Sequence, residues 1–200
     1  FGINELLFYV INRFNSPENT LIRNIFVFIT DLGRHQNFHY YLTAVAIFGL
    51  LHVIYFTKKD AAEVRPKIKL YVITIIILVI CYPLRAYVID ELKLYFAFPR
   101  PFIALPKGTV FAITPDVNVR QYYMSFPSGH SAFAMMIGAG IWPILNRQFK
   151  LIIGTLVFLV GLSRVVLGMH FPVDVVGGFA ISLFIVVVVR SAVYRLTKSR

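Results

Sequence analysis

Three short stretches hold the residues of this sequence that could carry out chemistry. They read Lys93, six residues, Arg100-Pro101; Pro127-Ser128-Gly129-His130; and Ser163-Arg164, five residues, His170, three residues, Asp174. Together the stretches supply cations, two imidazoles and a carboxylate within a largely apolar chain. Such a set suits the transfer of a phosphoryl group, which needs charge stabilisation and a nucleophile.

Three basic residues, Lys93, Arg100 and Arg164, would bind a phosphate dianion and the charge that builds up on its equatorial oxygens. Arginine can bind phosphate through two N–H groups, whereas lysine acts as a mobile point charge. Ser128 and Gly129 lie where an apolar run begins, which predicts a helix N-terminus there. Such a terminus offers free N–H groups to an anion, and glycine lets the backbone approach closely.

The two histidines fit the roles of nucleophile and general acid, and the residues alone leave open which of His130 and His170 attacks phosphorus. Asp174 lies four residues after His170, with Pro172 between them as a predicted helix start. A carboxylate there can fix the tautomer and the direction of the ring. No arrangement of acidic residues indicates a metal site. We therefore expect no metal and no cofactor, with the cations taking the place of Mg²⁺.

Each of these residues, taken singly, has an ordinary structural explanation. Lys93 could extend its charge to the membrane surface at the end of a span, and Ser128 could cap a helix. Asp174 could be an acidic residue of a first helical turn, which the helix dipole favours. Arg164 is harder to explain in this way, because an unpaired charge near the end of an apolar span is costly. The combination of all these residues in register favours a site.

The composition indicates a membrane protein. Of the 200 residues, 58% are hydrophobic and 14% are charged, and the mean hydropathy is +0.73, whereas soluble domains have about 25% charged residues. The net charge of +11 does not indicate nucleic acid, because the basic residues lie between long apolar runs. We expect the bilayer and an anionic substrate as partners. The single cysteine, Cys81, excludes an intramolecular disulfide.

Apolar runs of about 20 residues predict five transmembrane helices. The runs cover about 38–57, 70–89, 132–145, 151–166 and 173–193. The third follows Ser131 and is short unless it begins at Ser128. The predicted fold class is all-α, a polytopic membrane helix bundle. We expect a single domain over residues 1–200, with an outer-face loop at 90–128 that carries part of the site.

Residues 1–37 predict two further helices that lie on the membrane surface. The first is amphipathic, with its apolar residues on one face: Ile3, Leu6, Leu7, Val10, Ile11 and Phe14. The second has a start signal at Ser16-Pro17 and a stop near Gly33. A sixth, imperfect crossing over residues 1–37 is the alternative. Residues 1–15 lack a basic start and a small-residue cleavage site, so we expect no cleavable signal peptide there.

The basic loop residues predict the orientation in the membrane. Five predicted spans place three basic segments on one side, which the positive-inside tendency makes cytoplasmic. Those residues are Lys58, Lys59, Arg65, Lys67 and Lys69, then Arg147 and Lys150, then Arg195, Lys198 and Arg200. The same five-span parity places all three chemical stretches together on the opposite, outer side.

The three motifs resemble the signature of the type 2 phosphatidic acid phosphatase superfamily. In this sequence they read KLYFAFPRP at 93–101, PSGH at 127–130 and SRVVLGMHFPVD at 163–174, with no departure at any signature position. The resemblance covers roughly residues 90–175. It implies that His170 is a nucleophile forming a phosphohistidine, that Asp174 orients it, and that His130 is the general acid.

The resemblance also implies that Lys93, Arg100, Ser128, Gly129 and Arg164 bind phosphate in a hydrolase of membrane lipids without a metal. Lys107 and Arg120 are further candidates for contacts to an anionic headgroup. The lipid stays open among phosphatidylglycerophosphate, undecaprenyl pyrophosphate, phosphatidic acid and lipid A 1-phosphate. We expect a bacterial inner-membrane enzyme whose active site faces the periplasm. The alternatives are a phosphotransferase with the same histidine pair, or a catalytically silent binding or transport protein.

Overall fold

The computed structural model describes residues 2–59, 64–113 and 119–198, and they form a bundle of helices. The α-helices are α1 Ile3–Asn12, α2 Thr20–Leu32, α3 Phe38–Lys59, α4 Val64–Phe96, α5 Pro101–Ala104, α6 Gly129–Ile141, α7 Arg147–Val166 and α8 Pro172–Lys198. Within the described residues all regular secondary structure is helical. The predicted all-α membrane bundle is confirmed.

Helix α6 lies at the centre of the bundle, against α4, α7 and α8. Its side chains Phe133 and Met136 have no exposed surface. Glycine on this helix allows close packing, because a Cβ built on Gly138 would stand 2.7 Å from Val157 of α7. Since helices surround α6, its first turn is held in place relative to all of them.

Four stretches of the described chain are long and apolar enough to cross a membrane. They are His35–Tyr55, Val64–Ala104, Arg147–Val166 and Pro172–Thr197. The predicted third span is α6, which has 13 residues before a three-residue 3₁₀ turn that contains Pro143. That is shorter than the roughly 20 residues a crossing needs. Of the basic residues that predict the orientation, Arg200 lies outside the described residues.

The two N-terminal helices form as predicted, with one correction at the start of the second. In α1 the apolar Leu6 is exposed, while Phe8 and Asn12 are buried against the rest of the protein. Helix α2 begins at Thr20 rather than at the predicted Ser16-Pro17. The Ser16 hydroxyl does not cap a helix, because it accepts a hydrogen bond of 3.0 Å from the Asn19 side chain. Helix α2 then packs along α7.

The segment between α4 and α6 is more helical than the predicted loop at 90–128. Helix α4 continues to Phe96 and stops where Ala97 takes a φ of 46°, a conformation that does not continue a right-handed helix. Lys93 therefore lies on the last turn of a helix rather than in a loop. The loop proper begins at residue 97, and it contains the short helix α5.

Asn12 of α1 contacts the chain between α4 and α6, residues 97–128, which we call the outer segment. Its side-chain amide donates to the carbonyl oxygens of Phe111 and Val166, both at 2.9 Å, and its oxygen accepts the Phe111 N–H at 2.9 Å. Asn15 donates a further bond of 2.6 Å to the Phe111 carbonyl. Buried amides satisfied in this way fix the backbone they contact, so α1 ties the outer segment to the end of α7.

Candidate active site

The three chemical stretches meet in one cavity of about 410 Å³ at the end of the bundle where α6 and α8 begin. Six of the eight site residues predicted from the three motifs line it: Lys93, Arg100, Gly129, His130, Arg164 and His170. The other two, Ser128 and Asp174, are buried and bonded to each other through their backbones. The structure thus brings together residues that lie up to 81 positions apart in the sequence.

His170 and Asp174 form the deepest part of the site. His170 lies between α7 and α8, and Asp174 lies in the first turn of α8, where the helix dipole favours a carboxylate. Nδ1 of His170 is 3.5 Å from Oδ2 of Asp174 and has no hydrogen-bond partner among the described residues. Catalytic hydrogen bonds are often this long before substrate binds and then tighten. The other ring nitrogen, Nε2, is left for chemistry.

Asp174 is itself held by two donors. Its Oδ2 accepts the Ser125 hydroxyl at 2.6 Å and the Phe171 N–H at 2.9 Å. Both donors act on the oxygen that faces His170, so the carboxylate cannot turn away from the ring without losing them. A carboxylate held at the Nδ1 side directs Nε2 away from α8 and toward the basic residues.

Arg100 lies directly beside the second ring nitrogen of His170. Its Nη1 is 3.4 Å from Nε2 of His170 and donates to the Met169 carbonyl at 3.1 Å. Its Nε donates to the Gln121 carbonyl at 2.9 Å. These backbone bonds fix the guanidinium plane, and a phosphoryl group attacked by Nε2 would bring its oxygens against that plane.

Arg164 is held from the opposite side by α2. Its Nη1 donates a hydrogen bond of 2.7 Å to the Thr30 hydroxyl, and both residues are buried. The Arg164 carbonyl accepts the N–H groups of Met169 and His170 at 3.0 and 3.2 Å. One residue therefore shapes the turn that carries His170 and also supplies a cation to the cavity.

The first turn of α6 completes the site. The Ser128 N–H donates to the Asp174 carbonyl at 2.9 Å, which ties the start of α6 to the start of α8. The close approach requires Gly178 on α8, because a Cβ there would stand 2.5 Å from the Ser128 carbonyl oxygen. Lys93 reaches the same turn, since its Nζ would be 3.4 Å from a Cβ on Gly129. His130 packs beside Gly33 at the end of α2.

The surroundings of His170 favour its neutral form. Its pKa lies well below the ordinary 6.5, first because burial disfavours the charged ring and then because Arg100, Arg164 and Lys93 repel a further positive charge. A neutral imidazole is the form that can attack phosphorus. The same cations that would hold a phosphate thus also favour the form of His170 that could attack it.

Sequence reasoning missed several residues at this site, namely Arg85, Ser125, Thr30 and Asp90. Arg85 and Asp90 line the cavity, and Arg85 carried a usable signal, since a charge within an apolar span has a functional explanation by default. Ser125 and Thr30 carried none, because ordinary hydroxyl residues reveal their partners only in three dimensions. Within the described ranges, His, Cys, Asp and Glu side chains form no group of three that could hold a metal ion.

The predicted headgroup contacts lie apart from this cavity. Lys107 and Arg120 are both exposed, and neither is among the residues that line it. Lys107 follows α5, and Arg120 lies in the 3₁₀ turn at Val119–Tyr123. They could meet only a part of a substrate that extends beyond the cavity, so their role stays a prediction.

Known proteins resemble this chain in sequence and in fold. Phosphatidylglycerophosphatase B of Bacillus subtilis is 36% identical over 96 residues, which cover 42% of this chain and 47% of that protein. Undecaprenyl-diphosphatase BcrC of Bacillus subtilis is 32% identical over 87 residues, covering 44% of this chain and 41% of that protein. The chain thus matches less than half the length of these two relatives.

Two crystal structures match over nearly the whole chain. One is that of Aquifex aeolicus LpxE, with 26% identity, a TM-score of 0.64 and coverage of 94% of this chain and 95% of that one. The other is a transmembrane PAP2 type phosphatidylglycerolphosphate phosphatase from Bacillus subtilis. It has 21% identity, a TM-score of 0.65 and coverage of 98% and 89%, and it shows the shared fold alone. The model of the PAP2 superfamily matches residues 70–198, which include all three motifs, and the chain therefore belongs to the PAP2 superfamily.

Proposed function

We propose that this protein is a membrane lipid phosphatase that works through a phosphohistidine on His170. The observation that carries the proposal is the position of His170 in the cavity. Its Nδ1 faces the held carboxylate of Asp174, and its Nε2 faces Arg100. A nucleophile oriented by a carboxylate and placed against a phosphate-binding cation is the arrangement that phosphoryl transfer needs.

The reaction would proceed in two displacements. Nε2 of His170 attacks phosphorus, the bond from phosphorus to the lipid oxygen breaks, and His130 gives its proton to that leaving oxygen. His130 then takes a proton from water, whose oxygen attacks the phosphohistidine and releases inorganic phosphate. Lys93, Arg100 and Arg164 stabilise the charge on the equatorial oxygens in both steps, together with the first N–H groups of α6.

The cations support a reaction that needs no metal. In many phosphoryl-transfer enzymes a divalent ion neutralises the oxygens of the transferred group. Here Lys93, Arg100 and Arg164 converge on one cavity, and their fixed charges would do that work. Hydrolysis should therefore continue when divalent ions are removed.

The substrate would be a phosphorylated lipid that enters from the outer leaflet. The cavity opens where α6 and α8 begin, the end of the bundle opposite the basic loops, and the positive-inside tendency makes that end periplasmic in a bacterial inner membrane. The relatives are named for phosphatidylglycerophosphate and undecaprenyl diphosphate. Both lipids carry the phosphate at the membrane surface, where this cavity would lie.

The first experiment measures phosphate release by detergent-solubilised protein with excess EDTA. Its substrates are phosphatidylglycerophosphate, undecaprenyl pyrophosphate, phosphatidic acid and lipid A 1-phosphate. We expect release from at least one lipid, loss of release in His170→Ala, and full release in His39→Ala, a control at an exposed histidine outside the cavity. Transfer of phosphate to an added alcohol without hydrolysis would indicate a phosphotransferase. Release that needs a metal, or that survives His170→Ala, would contradict the proposal.

The exposed cations of the outer segment offer a separate test of headgroup contact. Replacing Lys107 and Arg120 together with glutamine should weaken hydrolysis of an anionic lipid such as phosphatidylglycerophosphate. Hydrolysis of a small soluble phosphate should be unchanged, because that molecule lies entirely within the cavity. An equal loss on both substrates would show that the two residues act on the fold rather than on the headgroup.

A further inference from the structure

Arg85 is a cation of the cavity that the mechanism above does not use. It lies on α4 two turns before Lys93, on the stripe of that helix that faces the cavity, with Ile89 between them. Its side chain is only 4% exposed. A buried arginine in an apolar helix is costly unless a partner neutralises it.

The described residues give Arg85 little to bind. Its Nη1 has one long hydrogen bond of 3.5 Å to the Gly129 carbonyl, and its Nε is buried without a partner in the described chain. The guanidinium also lies 5.5 Å from the Phe133 ring centre and 5.9 Å from that of Tyr82. No carboxylate of the described residues lies within ion-pair distance of it. This environment suits a cation whose partner is an anionic ligand.

Arg85 lies against the first turn of α6, where His130 follows Gly129. Its charge reaches Gly129, the residue that precedes His130, and His130 would protonate the leaving oxygen. Lys93 reaches the same glycine with its Nζ. Arg85 and Lys93 therefore bring neighbouring cations to the first turn of α6, whereas Arg100 lies at His170. An anion adjoining the scissile phosphate on the lipid side would lie against Arg85.

We propose that Arg85 binds a second phosphate, carried by the leaving group, and thereby selects lipids in which another phosphate lies between the scissile phosphate and the lipid tail. The inference rests on the proposed phosphatase function. It favours lipid diphosphates and phosphatidylglycerophosphate over phosphatidic acid and lipid monophosphates. For a diphosphate, His170 Nε2 bonds to the terminal phosphorus and the bridging P–O bond breaks. The lipid monophosphate leaves with the bridging oxygen, and water then releases inorganic phosphate from His170.

The test compares substrates that differ only by the second phosphate. Values of kcat/KM for wild type and Arg85→Gln are measured on farnesyl diphosphate and farnesyl monophosphate in the same detergent micelles. We expect Arg85→Gln to lose roughly 10–100-fold on the diphosphate, the size of a lost charge-assisted hydrogen bond, and less than about 3-fold on the monophosphate. Arg85→Lys, which keeps the charge, should lose less than Arg85→Gln. Phosphatidylglycerophosphate and phosphatidic acid form a second pair that tests a phosphate separated by glycerol.

A merely structural Arg85 would lower both members of a pair equally, and that result would overturn the inference. Arg65→Gln, at an exposed arginine near the other end of α4, is the matched control and should change neither. If Arg85→Gln does not fold, wild type and Arg85→Lys are compared instead, by the ratio of kcat/KM on the diphosphate to kcat/KM on the monophosphate. Wild-type hydrolysis of the single-phosphate lipids alone would overturn the inference and leave the proposed function intact. Hydrolysis of none of these four lipids would overturn the inference, and the proposed function would fail with it only if undecaprenyl pyrophosphate and lipid A 1-phosphate also released no phosphate.

Discussion

The Ser125 hydroxyl donates a 2.6 Å hydrogen bond to Oδ2 of Asp174, the same oxygen that lies 3.5 Å from Nδ1 of His170. Ser125 comes from the outer segment just before α6, whereas the other two residues belong to the α7–α8 turn and α8. The segment before α6 is therefore joined to the Asp174 carboxylate by Ser125. The position of this segment and the direction of the carboxylate beside His170 are thus coupled through one hydroxyl.

Ser125→Ala should lower kcat by about 10-fold with little change in KM, because a hydrogen bond to a charged group contributes about 1.5–3 kcal/mol. Asp174→Asn should lower kcat further, since the amide favours the wrong tautomer of His170. Steady-state kinetics on the best lipid substrate measures both. A Ser125→Ala enzyme with raised KM and unchanged kcat would show that Ser125 serves substrate binding instead.

The pH dependence should follow the neutral form of His170. Because burial and the neighbouring cations hold the pKa of His170 well below 6.5, the ring is neutral above that pKa, and kcat/KM should rise with pH only at values below 6.5. The proposed mechanism also needs protonated His130, whose pKa burial and then Arg164 and His170 likewise hold well below 6.5. The falling limb should therefore lie on the acidic side as well, and the profile should be bell-shaped. Arg100→Gln removes a charge that repels the protonated ring, so the pKa of His170 should rise and the acidic limb should move to higher pH. The variant should also lower the rate at every pH.

The measurement is kcat/KM of wild type and Arg100→Gln between pH 4.5 and 9.5 on one substrate. A flat profile from pH 5 to 9 would contradict the histidine pair. An acidic limb that stays in place in Arg100→Gln would show that Arg100 does not set the protonation of His170.

Thr30 holds the guanidinium of Arg164 by its buried hydroxyl. Thr30→Val keeps the shape and removes the acceptor, which leaves a buried charged donor without its partner and costs on the order of 1–3 kcal/mol. We expect kcat/KM to fall about 10-fold or more and inhibition by inorganic phosphate to weaken. Thr155→Val, at an exposed threonine of α7, is the control. Equal kinetics for the two variants would exclude a role for the Thr30 bond.

Gly178→Ala should force α6 and α8 apart at the site, because its Cβ would stand 2.5 Å from the Ser128 carbonyl oxygen. Overpacking of this kind costs about 1–3 kcal/mol, so both the thermal midpoint in detergent and kcat should fall. The control is Gly154→Ala on α7, whose Cβ would meet its nearest neighbour only at 4.0 Å. That change should be neutral or slightly stabilising in a helix. A Gly178→Ala enzyme as stable and active as wild type would contradict the tight packing.

Much of this architecture can be predicted from sequence because the bilayer imposes long apolar helices. The all-α class, four of the five spans and the start of α8 at Pro172 follow from hydropathy and helix signals. The length of α4 does not, because the charged residues Asp90, Glu91 and Lys93 indicate a loop, although residues 84–96 contain neither proline nor glycine. The shortness of α6 is visible in its sequence, but its enclosure by other helices is not.

The site divides in the same way. The residues of the three motifs can be recognised in the sequence by their charge and spacing, and the structure brings them together in one cavity. The residues that hold them in place cannot be recognised in this way, since Thr30 and Ser125 are ordinary hydroxyl residues far from their partners in sequence. Arg85 lies between these cases, because its charge in an apolar run is a signal that has no motif around it.

The bonds from Thr30 to Arg164 and from Asn12 to the outer segment start before residue 70, where the family match begins. The residues that the family model matches are thus fewer than the residues that support the site. A fragment cut at residue 70 would retain every signature residue, yet Arg164 would lose its acceptor and Phe111 both of its asparagine partners. The signature motifs of such a chain would indicate the type of reaction without ensuring that the fragment is active. Activity would also depend on N-terminal helices that contain no signature residue.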